Sequence, residues 1–252
     1  MEQICREQQV DRWADNSPEE ILYLPLIKRL LPNALFVHII RDGRAVALSL
    51  TKQGWIRPLP GDDQLSASGL YWEWIVAKGR ASGKALGGDY AEVRFEDLLA
   101  DPRSTLARLG RFLEHDLDYD RIRQNGIGAV SKPNTSFRRE SNQPRFDPVG
   151  RWKETFSEVQ LAAFEELVGL NLQELGYELK SQTNGRSPRA ERKRALYRRY
   201  FDCKISLKNS CLYRSYHRLL SDRSNASRID YIVMADDVTR PVIPGTLSSI
   251  SS

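Results

Sequence analysis

The stretch from Leu35 to Ser49 constrains this chain more than any other. Leu35 to Ile40 is a nearly unbroken apolar, β-branched run of strand length, the pattern of a strand buried on both faces of a parallel sheet. Arg41 follows, Asp42-Gly43 turns the chain, and Ala45, Val46, Leu48, Ser49 and Leu50 continue at helical spacing. Arg41 and Ser49 therefore flank a strand-to-helix junction, and the carboxyl edge of the strands is where open α/β sheets bind ligands. A guanidinium that can grip a phosphate through two N–H groups, a hydroxyl and the amides of a helix N-terminus together suit a phosphate. The same residues also fit an Arg41–Asp42 pair that only closes a turn.

Length and composition allow such a sheet. The chain has 252 residues, 40% hydrophobic and 28% charged, which suits one α/β domain with an appendage. No apolar run approaches the ~20 residues needed to span a bilayer, and the polar start Met1-Glu2-Gln3-Ile4-Cys5-Arg6 does not read as a signal peptide, so the expected compartment is the cytoplasm. Cys5, Cys203 and Cys211 are too scattered for a disulfide framework, and His38, His115 and His217 form no metal-binding motif. Reduced thiols and no metal are expected. The net charge of +5 is unevenly placed: Arg186 to Arg223 carries twelve Lys/Arg against three Asp/Glu, so the rest of the chain is net acidic. Nucleic-acid coating by the whole protein is thereby excluded, while the basic tail alone could touch an acidic or membrane surface.

Taken in order, residues 1–12 read as a polar helix. Ser17-Pro18-Glu19-Glu20 is a helix-start signature with Ser17 as N-cap, and Ile21, Leu22, Leu24, Leu26, Ile27, Leu30 and Leu31 supply an apolar face up to Pro32. Gly54 to Asp63 is a Pro/Gly-rich loop with Trp55, suited to an acceptor pocket or to a plain surface connection. Gln64 to Leu86 reads as a long helix with an aromatic core stripe, Tyr90 to Phe95 as a strand, and Arg103 to Leu113 as a helix. Asn125 to Gly150 is a basic, Gly/Pro-punctuated loop without period. Ser157 with Gln160 caps a helix running to Leu175. Gln182 to Arg189 is a polar linker, and Arg192 to Leu220 mixes arginines and tyrosines at partly helical spacing, as in a helix laid on the domain or on an acidic surface.

Four segments carry a resemblance. Arg41-Asp42-Gly43-Arg44-Ala45-Val46-Ala47-Leu48-Ser49 resembles the Arg-(x)7-Ser segment by which sulfotransferases hold the 3′-phosphate of 3′-phosphoadenosine 5′-phosphosulfate, PAPS. Trp13-Ala14-Asp15-Asn16-Ser17-Pro18 resembles the Asp-Lys-Thr-Pro segment of bacterial members, Val93-Arg94-Phe95-Glu96-Asp97-Leu98 the following strand and turn, and Gly150-Arg151-Trp152-Lys153 the late glycine-tryptophan segment. The resemblance implies an α/β fold, a P-loop NTPase-like three-layer sandwich on a parallel sheet over residues 1–180, with a linker and basic helical extension over 181–252. It implies sulfuryl transfer from PAPS, without a metal, to a hydroxyl or amine of a glycan, lipid or small molecule.

By the same resemblance Asp15 is the base, with Asn16 where relatives carry a lysine, although Asp15 also suits a cap on the helix that begins at Pro18. Arg41 and Ser49 fall on the 3′-phosphate. Phe95 lies where relatives place a tyrosine near the adenine, and it equally suits the core. Arg145 falls where relatives place a second phosphate-binding arginine, although Phe146-Asp147 replaces the usual Lys-Gly, and Arg151 is an alternative donor; either is otherwise a solvated loop arginine. His38 reads as a core histidine. The family's Gly-rich loop for the 5′-phosphosulfate has no counterpart in this sequence, which contains no GxxxxGK[ST]. Two expectations follow: a reading frame that begins upstream of Met1, or a degenerate member that binds adenosine 3′,5′-bisphosphate without turnover. A nucleic-acid or membrane-surface binder driven by the basic tail is the reading from another class.

Overall fold

A computed structural model describes residues 12–124, 149–181 and 187–210. The expected N-terminal helix, the loop to 148 with Arg145, most of the linker and the tail past 210 lie outside the described residues. The chain divides into two compact units, Met1–Phe201 and Asp202–Ser252. The second is described only at the end of a helix.

Two short strands hold the centre. β1 (Phe36–Ile40) pairs in parallel with β2 (Tyr90–Arg94), in a register running from Phe36 opposite Tyr90 to Ile40 opposite Arg94. Among the described residues the sheet has only these strands. The expectation that β1 is buried on both faces needs correction: His38 and Ile40 are buried, but Ile39 is 53% exposed. Successive side chains of a strand point to opposite faces. The face bearing His38 lies under a helix, whereas the face bearing Ile39 is open at this strand.

α1 (Leu24–Leu30) is preceded by a 3₁₀ turn, Pro18–Tyr23, in place of one continuous helix from Pro18. Pro25 explains the break, because it lacks the N–H that an uninterrupted ladder requires and is tolerated only in a first turn. Ser17 makes no side-chain cap bond; Asp15 Oδ1 instead accepts from the Ser17 N–H at 2.8 Å. α2 (Gly43–Gln53) starts directly after β1 and ends at Gly54, whose φ of 66° is the left-handed conformation a glycine tolerates. α3 (Gln64–Ala85) is capped by Asp63, which accepts from the Ser66 N–H at 2.7 Å.

Every other layer is built on α3. It packs against α2, both strands and a later helix, α8 (Glu158–Glu174). Small residues permit the close approach: a Cβ on Gly69 would meet the Phe164 ring of α8 at 2.3 Å, and one on Gly83 the Tyr90 ring at 2.3 Å. β2 leads into α4 (Phe95–Ala100), so Phe95 begins a helix and does not end the strand. α5 (Pro102–Leu113), with Asp101 as cap and Pro102 in its first turn, and α6 (Tyr119–Gln124) follow. α7 (Trp152–Thr155) precedes α8, whose N-terminus carries the capping box of Ser157 and Gln160 that the sequence suggests.

α9 (Pro188–Lys208) is basic yet buries Tyr197 and Phe201. Phe201 meets Tyr71 and Trp74 of α3 at ring-centroid distances of 5.4 Å. The Tyr197 hydroxyl accepts from the Leu59 N–H at 3.0 Å, Lys193 pairs with Asp62 at 2.7 Å, and Arg194 pairs with Glu73. Up to Phe201 the helix is therefore part of the first unit. No described helix is long and apolar enough to cross a membrane.

A glycine of α3 and one in the turn that follows it give a direct test. Gly69→Ala should destabilise by about 1–3 kcal/mol, the cost of forcing a methyl into a filled site, because its Cβ meets Phe164. Gly88→Ala, whose Cβ meets nothing within 4 Å, should change stability far less. Urea unfolding of the two variants measures the difference.

Candidate functional site

The β1–α2 junction is fixed by a buried charge cluster. Asp42 accepts from the Arg44 backbone N–H at 2.9 Å and so caps α2; the same carboxylate receives Arg44 Nε on both oxygens (3.0 and 3.2 Å) and Nη2 at 2.8 Å. Arg44 Nη1 reaches Glu165 Oε1 of α8 at 2.7 Å and the Glu178 carbonyl at 2.9 Å, and the guanidinium lies 3.8 Å from the Trp152 ring centroid. Arg44 is only 3% exposed. The second Glu165 oxygen accepts from the Lys180 and Ser181 N–H groups and the Ser181 hydroxyl. Burial raises the Glu165 carboxyl, but these bonds outweigh it and hold the group below the usual carboxylate range. The turn is thus closed by Asp42 with Arg44, not by Asp42 with Arg41.

Arg41 points elsewhere. Its guanidinium lies 5.0 Å from the Phe95 ring centroid, its carbonyl accepts from Trp72 Nε1 at 3.1 Å, and a Cβ on Gly43 would strike the same Trp72 ring at 2.6 Å. Glu96, next to Phe95, accepts from the Asp42 N–H at 2.9 Å and from the Tyr177 hydroxyl at 2.8 Å. Burial lowers the Arg41 pKa; Glu96, Asp42 and Tyr177 oppose that shift, and Arg151 adds to it as a like charge. Lys52 is lowered too, first by desolvation and then by Arg151. Arg151 thus acts as a like charge on both Arg41 and Lys52, and Arg41 at the carboxyl edge of the strands has Phe95 as its aromatic neighbour.

The sequence candidates divide accordingly. Arg41 and Phe95 come together, and Arg151 acts on Arg41 as a like charge. Ser49 is half-buried on α2 and accepts from Gln53 Nε2 at 3.4 Å, one turn before Lys52 and Gln53. Asp15 and Asn16 are exposed, in the segment leading to the 3₁₀ turn. Bonds from Ser17 lower the Asp15 pKa, with Glu20 contributing, and none of these reaches Arg41. Sequence reasoning passed over Arg44, Lys52, Glu96 and Tyr177. Asp42 two residues before Arg44 is the one local signal that an arginine folds back on the turn, whereas Glu165 and Tyr177 meet it only through the tertiary fold.

Residues 1–120 match the model of the sulfotransferase family. The chain is also similar to a protein of Caenorhabditis elegans named "Putative protein-tyrosine sulfotransferase", 28% identical over 174 residues, or 66% of each chain. A protein of the same printed name from Caenorhabditis briggsae is 26% identical over 176 residues, covering 68% of this chain and 62% of the relative. The chain thus spans slightly under two thirds of the length of these relatives. The family match takes in Arg41, Ser49 and Phe95 and stops before Arg151.

His38 lies inside the sheet, away from this cluster of cations. Its Nδ1 is 2.6 Å from the Tyr90 hydroxyl, which donates to Glu92 at 3.0 Å; Glu92 in turn receives Arg80 at 3.0 Å. Since the tyrosine proton goes to Glu92, Nδ1 donates to the tyrosine oxygen. Burial pushes the imidazole down to about 4, with Glu92 opposing and Arg80 reinforcing the shift. The unfolded chain therefore binds a proton that the folded chain refuses between about pH 6.5 and 4. Stability is complete above that window and falls through it, by at most about 3 kcal/mol. Urea unfolding from pH 7 to 4.5 should show this slope, and His38→Gln should flatten it.

Proposed function

We propose that this chain is a sulfotransferase that takes PAPS as donor, and that Arg41 and Arg151, with Ser49, hold the 3′-phosphate. One observation carries the reading: Arg41 at the end of β1 lies over Phe95, with Arg151 acting on it as a like charge, which supplies cations for a dianion and an aromatic ring for a base. Its placement at the carboxyl edge of a parallel strand pair, within the segment that matches the sulfotransferase model, supports it. The same reading carries the P-loop-like three-layer architecture over residues 1–180, with residues 181–252 as linker and basic extension. The relatives' names favour a phenolic hydroxyl, such as that of a tyrosine, over glycans and lipids as acceptor.

Sulfuryl transfer forms a bond from the acceptor oxygen to sulfur and breaks the one from sulfur to the donor's phosphate, so a proton must leave the acceptor while charge grows on the leaving phosphate. Asp15 is the proposed base. Its bonds from Ser17 keep it ionised at neutral pH, which leaves it able to accept a proton but makes it a weak base. Asn16 can donate a hydrogen bond there without neutralising charge. A second reading is a binder of adenosine 3′,5′-bisphosphate that keeps Arg41 and Ser49 but does not turn over. Electrostatic stabilisation of developing charge is usually the largest catalytic contribution, and one lost donor costs about 10²–10³ in rate.

Calorimetry with adenosine 3′,5′-bisphosphate tests the pocket. Arg41→Ala should weaken binding by about 1.5–3 kcal/mol, the range for a charge-assisted bond, and equal affinities would remove Arg41 from the site. Labelled sulfate transfer from PAPS to tyrosine peptides, small phenols and glycans tests the activity. Binding without transfer to any acceptor selects the second reading.

A further inference from the structure

The two arginines of the proposed pocket come from distant parts of the chain, yet each is one residue away from a contact with the same buried guanidinium. We propose that Arg44 is the positioning residue of this pocket: through Asp42 it fixes the backbone that carries Arg41, and through Trp152 the backbone that carries Arg151. This rests on reading the pocket as a phosphate site.

Arg44 does not itself serve as a ligand contact. Its Nε and Nη2 are committed to Asp42, its Nη1 to Glu165 and the Glu178 carbonyl, and its flat face to Trp152. What it does is join. Asp42 follows Arg41 directly, and its own N–H is held by Glu96, beside the Phe95 on which Arg41 rests. Trp152 follows Arg151 directly, is buried, and belongs to a helix, α7, that packs on α2. A shift of Arg44 would therefore move both cationic walls relative to each other. Only an arginine suits the place, because a lysine ammonium cannot span Asp42 and Glu165 in one plane or lie flat on an indole. Arg44→Lys thus keeps the charge and removes the geometry.

The test compares Arg44→Lys with Leu172→Ala, a cavity at a buried position of α8 that is not among the Arg44 partners. Thermal melting and circular dichroism establish that each variant is folded at the titration temperature. Calorimetry with adenosine 3′,5′-bisphosphate should then show binding weakened roughly tenfold or more in Arg44→Lys, the scale on which partners that orient a binding group are felt. Leu172→Ala should bind within about twofold of wild type, although it too is less stable. In an Arg41→Ala background the effect of Arg44→Lys should shrink, since the part of it that acts through Arg41 is then lost. Wild-type affinity in Arg44→Lys, or full additivity with Arg41→Ala, would overturn the proposal and leave Arg44 as a brace of the fold alone. Should Arg44→Lys not fold, Trp152→Leu removes the stacking face and keeps both ion pairs; it too should bind roughly tenfold more weakly, and wild-type affinity there overturns the proposal equally. Failure of the wild-type chain to bind is a separate result, which retires the phosphate pocket itself.

Discussion

The structure depends on one cation placed between two carboxylates out of water. Transferring an arginine, an aspartate and a glutamate from solvent costs several kcal/mol per ion, and their attraction repays this only if the remaining donors and acceptors are also used. Here they are: Glu165 takes three further donors from Lys180 and Ser181, Asp42 caps a helix, and the guanidinium lies on an indole face. The groups that make those bonds come from several separate stretches of chain. The end of the first strand, the start of α2, the middle of α8 and the segment after Gly176 meet at a point where none could stay alone.

Around this point the packing is set by missing side chains as much as by large ones. Gly43 admits the Trp72 ring, and that ring's N–H is then placed to hold the Arg41 carbonyl. Gly79 admits Ile21 and the edge of His38 in the same way. Close approach of α3 to the sheet turns its aromatic residues into spacers of defined thickness. Leucines in their place would fill the volume without supplying a donor to the strand end.

What could be read from the sequence was local. The apolar run before Arg41, the turn at Asp42-Gly43, the cap at Ser157 with Gln160 and the loop that opens at Gly54 are each decided within a few residues, and the fold keeps them. Where a second determinant entered, reading failed. Ser17 and Glu20 match a capping box, but Pro25 breaks the helix they would begin, and Asp15 takes the Ser17 N–H. The β1 run looks doubly buried because its residues are apolar on both faces, while the cover for Ile39 is not among the described elements. Arg41 was legible as a site candidate by its position at a strand end. Arg44 was not, because its partners lie in α8 and beyond, at separations no local pattern encodes.

The parallel pairing of β1 with β2 has a further consequence, for the order of events during synthesis. Phe36 and Tyr90 are partners, so the first strand leaves the ribosome roughly fifty residues before the second exists, an interval of about 3–10 s at ordinary elongation rates. For that time an apolar, β-branched segment has neither its neighbour nor the helix that covers it. Two intervening helices must form and dock before the strands can close a loop of that length, which makes this contact slow by topology. Until the crossover is complete, that strand can pair wrongly with whatever open edge it meets.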